Sequence, residues 1–343
     1  MPLMWYAVCS ALAWQGGALR RTSAAWLHQP GGCPEDNLQN EQLSSTDIFM
    51  RSHRGDLEWL DYSVPSITES MQCSVGVIRN VLLVVPEDDV SAFQEKLNVI
   101  WTAHDLPKSL LERWHLIPSK TKIIGSGSQE QMLDKMHADL YSDAAHFVYV
   151  DTDTVLMQHL ARNQLFDDEG RPFLCVRSVA NCEACEMSMQ GHVKSMLGDG
   201  EMLDHDYTCL GQAYPRFLYQ HLREIVEEKK GEQWRNFTTH ALHPENGGGS
   251  PWSEDDGFTE FNAMGAAMWR DFHEKAHWID TQVDAMNLMA QPLPMWSWEQ
   301  DEATREQSKK RFECIRRFKQ NRDGFDRNAR LVKCNRIFRK DDK

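Results

Sequence analysis

Asp151-Thr152-Asp153 is the stretch of this sequence best suited to chemistry. Two carboxylates one residue apart can both reach one divalent cation, and oxygen ligands of this kind suit Mg²⁺ or Mn²⁺. Such a cation bridges a diphosphate and neutralises the charge that develops as a nucleotide departs. The triplet pattern alone carries no information, because the chain has two D-x-D triplets, about what its aspartate content gives by chance. Context separates them. The first follows the apolar run HFVYV and precedes Val155-Leu156-Met157, whereas Asp204-His205-Asp206 stands in a polar stretch and reads as a surface turn. A further acid, Glu260, lies between Phe258 and Phe261. A carboxylate among aromatic rings is expected to hold its proton more tightly than usual, which suits a catalytic base. Asp256 and Asp255, just upstream, are the next candidates.

These groups need a scaffold, and the hydrophobic pattern supplies one. Residues 46–52, 79–86, 113–118, 146–150 and 172–178 read as short strands, the second an unbroken apolar run ended by Pro86. Helical periodicity falls between them. Leu57, Leu60, Val64, Ile67 and Met71 form one face. Val90, Phe93, Leu97 and Ile100 form another behind Asp88-Asp89, and residues 129–143 turn Met132, Leu133, Met136 and Leu140 inward. This alternation predicts an open, mostly parallel α/β sheet with helices on both faces, whose ligands bind beyond the carboxyl ends of the strands. The first acidic triplet stands at such an end. Phe261, Met264 and Met268 recur at helical spacing, with Gly265 for close packing. The stretch from Pro244 to Gly257, with three consecutive glycines, reads as a loop able to close over a ligand and exclude water, its Trp252 able to stack on a sugar.

HFVYVDTDTVLM, preceded by QEQMLDKMHADLYSDA, resembles the centre of a GT-A-type glycosyltransferase domain, the nucleotide-diphospho-sugar transferase fold. DIFMRSHRGDLEWLDYSVPSI resembles the opening strand, donor loop and first helix of that fold. FTEFNAMGAAMW followed by HWIDT resembles the acceptor-side helix and late metal-facing segment of a poorly characterised glycosyltransferase-like group. The likeness spans about residues 44–285. It implies Mn²⁺ or Mg²⁺ on Asp151 and Asp153, with His277 as a further ligand and Asp280 as the alternative. It implies a UDP- or GDP-linked sugar donor held by Asp151, Gln131 and Lys135 on one side and by Arg51, His53, Arg54 and Asp56 on the other. In an inverting enzyme Glu260, or else Asp256, would activate the hydroxyl of a glycan, glycoprotein or small-molecule acceptor; in a retaining one Glu260 would bind the acceptor. The implied activity is metal-dependent transfer of a sugar, such as a hexose, from donor to acceptor. Two alternatives stay open: a non-catalytic carbohydrate- or protein-binding module on the same fold, and a metal-dependent nucleotidyl or phosphoryl transferase. The Gly-rich signature of sugar-nucleotide pyrophosphorylases is not seen near the first strand, which disfavours nucleotidyl transfer.

Composition bounds these readings. The chain has 343 residues, is 41% hydrophobic and carries a net charge of −14. It is long enough for a sizeable core, and too acidic to seek nucleic acid. Basic residues concentrate in 305–343, where 15 Lys and Arg face 6 Asp and Glu. This expected helical extension, 286–343, reads as a solvated tail or as a contact for a membrane or partner, with Phe312, Ile315 and Phe318 as a short apolar stripe. Residues 1–43 read as a signal or short anchor followed by a linker, which places the chain in the secretory pathway; without that function the location is cytoplasmic. The sequon Asn236-Phe237-Thr238 matters only on the secretory route. Of the nine cysteines, Cys182 and Cys185 form a CxxC that reads as a disulfide or free thiols in a surface insertion.

Overall fold

A computed structural model describes residues 45–178 except 73, 75, 122–126 and 157–159; positions 193, 196, 197, 204–208, 211–231, 233, 234, 236 and 238; and residues 259–280 and 290–292. The N-terminal 44 residues, the CxxC, the glycine-rich loop with Asp255 and Asp256, and the basic tail lie outside the described residues.

Five strands build the central sheet: β1 (Thr46–Arg51), β2 (Ile78–Val85), β3 (Trp114–Pro118) and β4 (His146–Tyr149), joined at the edge by Ala213–Pro215. The order is β3-β2-β1-β4 and then the edge strand. The first four run parallel and the edge strand antiparallel to β4. The chain order reverses between β1 and β4, the kind of switch point where the loops at the carboxyl ends part and leave a crevice.

Period-two alternation divides the strand side chains between two cores. Ile48, Met50, Leu83, Val85 and Val148 face one side, where they meet Leu60, Val64 and Ile67 of α1 (Leu60–Met71) and Phe93, Leu97 and Ile100 of α2 (Val90–Ala103). Phe49, Leu82, Val84, Phe147 and Tyr149 face the other. There they meet α3 (Gly127–Met136) through Leu133 and Met136, α4 (Phe217–Lys230) through Leu218, Tyr219 and Leu222, and α5 (Glu260–Asp271) through Phe261, Met264 and Met268. Each helix buries its apolar stripe, as the sequence periodicity requires.

Three readings need correction. The strand expected at 172–178 exists as Phe173–Ser178 but belongs to a separate sheet, parallel to His277–Asp280 and antiparallel to His205–Asp206. Periodicity marks a strand without naming its partners. Here the Cys175 amide donates to the side chain of Gln212 at 2.7 Å, where a strand of the central sheet would offer backbone. The second acidic triplet is therefore no surface turn, since its His205–Asp206 pair with that strand. The helix expected over 129–143 ends at Met136 and yields to a 3₁₀ turn, Ala138–Leu140. Three residues per turn instead of 3.6 rotate Leu140 out to 51% exposure.

The FTEFN segment has a local logic. Thr259 caps α5, its hydroxyl accepting from the Phe261 amide at 3.3 Å. Asn262 accepts from the Tyr207 amide at 2.9 Å. A Cβ on Gly265 would meet Tyr207 at 2.2 Å, so only glycine lets α5 approach this closely. Cys175 is wholly buried and disulfide-bonded. Among the described residues no helix is long and apolar enough to cross a membrane.

Candidate functional site

The carboxyl ends of β1 and β4 lie side by side. Past the last β4 pairing, the Val150 amide still donates to Phe49 at 3.2 Å, and the Ser52 amide to Val84 at 3.0 Å. The chain then folds sharply. The Thr154 amide donates to the Asp151 carbonyl at 3.0 Å, and the Thr152 hydroxyl to the Arg51 carbonyl at 3.3 Å. This tight turn fixes Asp151 and Asp153 at the switch point, on the same edge as Arg51 and Asp56.

Helix α3 crosses above that edge and presents opposite charges to the two strand ends. Lys135, 2% exposed, places its Nζ 2.8 Å from Asp151 Oδ1 and 2.8 Å from Glu260 Oε1. Gln131, one turn earlier, donates to the same Asp151 oxygen at 3.2 Å. The ammonium also lies 4.8 Å from the centre of the Phe261 ring. Burial alone would push Lys135 down, but the two carboxylates hold it above its ordinary value, so it is a cation at neutral pH. Asp134, the neighbouring residue, is completely buried and accepts from Arg51 Nε at 2.6 Å, Ser119 Oγ at 2.8 Å, Thr121 Oγ1 at 2.8 Å and the Tyr141 hydroxyl.

Asp153 completes the acidic edge. Its carboxyl is pushed well above the usual range, first by burial and then by the charges of Asp151 and Asp56, with Lys135 acting weakly against them. Either a proton or a cation relieves the repulsion among these carboxylates. Among the described residues no set of three or more His, Cys, Asp or Glu converges as a metal cage. A cation here would take carboxylate oxygens from Asp151 and Asp153 and the rest of its shell from ligand or water, which fits the habits of Mg²⁺ and, by the same oxygen donors, Mn²⁺. Asp56 is drawn to this edge and accepts from His53 at 2.7 Å, a bond that raises the imidazole above its ordinary value.

Several residues named from the sequence sit elsewhere or are otherwise engaged. Glu260 does not face solvent. It is 4% exposed, with one oxygen on Lys135 and the other 3.3 Å from the Thr259 hydroxyl, so the carboxylate serves an ion pair rather than standing open as a base. Arg51 is 3% exposed and turned inward to Asp134 and the Ser52 carbonyl. Arg54 points outward to Asp89 at 3.2 Å. His277, the expected further ligand, makes contacts of its own elsewhere in the fold. It pairs with Phe173, its amide donates to Pro172, and its ring approaches Asp167 at 3.2 Å. Pro172 bridges Phe166, whose ring packs on His146 at 4.9 Å, and none of these partners of His277 is in the acidic turn. Asp280, at the other end of the same strand, pairs with Val176. Asp255 and Asp256 lie outside the described residues.

Sequence reasoning missed Asp134, Ser119 and Thr121. The available signal was the Asp134-Lys135 pair itself, opposite charges at adjacent positions on a helix leading to the acidic strand end. No protein-family model matches this chain, and no curated protein matches it.

Proposed function

We propose that this protein is a metal-dependent glycosyltransferase that moves a sugar from a nucleoside-diphosphate donor to an acceptor hydroxyl. The observation that carries the reading is the acidic turn at the switch point, with the Asp153 carboxyl raised by burial and by Asp151 and Asp56. A divalent cation would offset such a site and in turn offer positive charge to a donor diphosphate. When bound, the cation supplies positive charge to the departing diphosphate. Asp151 and Asp153 would hold it. Lys135 adds a fixed positive charge beside Asp151, and Gln131 orients that carboxylate. Asp134 keeps Arg51 and the segment through Ser119 and Thr121 in place along the same edge.

A second reading, a sugar- or protein-binding module on this fold, draws on one observation: Glu260 is committed to Lys135 rather than open to an acceptor. The buried disulfide at Cys175 suits an oxidising compartment, as the secretory pathway provides. The test is a thermal-shift panel of UDP, GDP and their sugar conjugates, each with Mn²⁺ and with EDTA. Ligand binding raises the melting temperature by mass action, so a Mn²⁺-dependent rise identifies the donor. Release of UDP or GDP on adding acceptor sugars then separates transferase from binding module. A flat panel would remove the donor-binding reading.

A further inference from the structure

Lys135 is an unusual neighbour for a cation site. Its ammonium is buried on the Asp151 oxygen that faces α3, 2.8 Å away, and a second buried carboxylate, Glu260, stands at the same distance on the other side. The three residues come from α3, the end of β4 and the first turn of α5. The ring of Phe261 closes on the ammonium, and the Tyr149 hydroxyl donates to the Lys135 carbonyl at 2.7 Å, fixing the helix turn that bears it. A lysine held this way is no solvated helix residue, and burying it requires both carboxylates.

We propose that Lys135 is a resident counter-ion that sets how tightly the Asp151–Asp153 pair takes a divalent cation, with Glu260 as the carboxylate that draws the ammonium away from Asp151. The inference rests on the reading that this pair binds a cation. The physical reason is competition for one carboxylate. The ammonium neutralises part of the charge a divalent ion would use, and it repels that ion directly through a buried, weakly screened path. Glu260 acts in the opposite sense, since it shares the ammonium and adds negative charge. A metal-free site with Lys135 in place is a stable fold; without it, Asp151 and Asp153 face each other with less compensation. The device keeps affinity for the bare cation modest, so that a cation arriving with its diphosphate, which adds its own oxygen ligands, is favoured over the ion alone.

The two variants are expected to move Mn²⁺ affinity in opposite directions, measured on the full chain by the electron paramagnetic resonance signal of free Mn²⁺ without nucleotide. Lys135→Gln should tighten binding by about tenfold, and Glu260→Gln should weaken it by about threefold, as the sign of the charge removed dictates. Lys135→Gln leaves Glu260 buried without its partner, so the double variant Lys135→Gln/Glu260→Gln guards against a folding failure; it should bind more tightly than the parent, because the charge nearer Asp151 is the one lost. Asp153→Asn distinguishes the two levels of the argument. It should abolish Mn²⁺ binding. If Asp153→Asn binds Mn²⁺ as the parent does, or the parent binds none, the cation-site reading fails and this proposal with it. If Asp153→Asn loses binding while the lysine and glutamate variants both weaken it, or leave it unchanged, the site stands and the counter-ion role of Lys135 is overturned.

Discussion

Asp153 and Asp134 are both aspartates near the same strand ends, yet their environments differ in kind. Asp134 is surrounded by donors, from Arg51, Ser119, Thr121 and Tyr141. Asp153 has carboxylates for neighbours. The two substitutions should therefore act in opposite directions. Asp153→Asn keeps the size of the side chain and removes repulsion. Without metal at pH 7 it should melt no lower than the parent, and higher by a degree or more, measured by calorimetry in EDTA. Asp134→Ala removes the nearer carboxylate from the buried guanidinium of Arg51, leaving Glu130 at 3.5 Å, and should cost about 3 kcal/mol, read as a lower urea midpoint. The sequence made the first of these residues legible, because a D-x-D directly after an apolar strand has few structural uses. It hid the second, and it misled on Glu260. Two flanking aromatics suggested a carboxyl that holds its proton tightly and acts as a base, but the partner, Lys135, lies 125 positions away in the chain and only folding brings it near.

At the scale of elements, strands and helices with a clean apolar period were legible to within a few residues. β1, β2, β3, β4 and the helices α1 and α2 fall where the pattern puts them. What the pattern does not contain is pairing. The strand Phe173–Ser178 has the composition of a central strand and still leaves the central sheet, pairing with His277–Asp280 while the side chain of Gln212 takes its Cys175 amide. The short pairing strands His205–Asp206 and Ala213–Pro215 are too brief for a period to show. For α5, close approach dominates over helix propensity. Alanine is the better helix former, yet Gly265→Ala drives a methyl group into Tyr207, whose ring carbons lie within 3 Å of the new Cβ. Overpacking of this kind costs about 1–3 kcal/mol, and it should loosen Glu260 from Lys135 by displacing the helix start. Chemical denaturation of Gly265→Ala should show the loss. A variant as stable as the parent would mean that α5 shifts without strain.

The whole molecule carries a pH signature of its own. His137 and His146 are held neutral by burial, each pushed down to about 4. His137 accepts from the Trp234 indole N–H at 2.6 Å, a bond that needs the unprotonated nitrogen. In the unfolded chain both titrate near 6.5. Between those values the unfolded chain binds protons that the fold refuses at these two rings, so their contribution is constant above pH 7 and falls as the pH drops from about 6.5 toward 4, while Asp153 and His53, both raised, act in the opposite sense. His137→Gln preserves an acceptor for Trp234 and removes one titrating group, so its melting temperature should decline less steeply over that interval than the parent's. An equal slope would assign the acid sensitivity to other groups.

The central claim concerns the acidic turn where the strand order reverses, and one measurement meets it directly: calorimetric titration of UDP and GDP into the full chain, in Mn²⁺ and in EDTA, for the parent and for Asp153→Asn. The account predicts that one of the two nucleotides binds the parent in Mn²⁺, that EDTA abolishes the binding heat, and that Asp153→Asn behaves in Mn²⁺ as the parent does in EDTA. Equal affinity of parent and Asp153→Asn for that nucleotide, or binding indifferent to the metal, would contradict it.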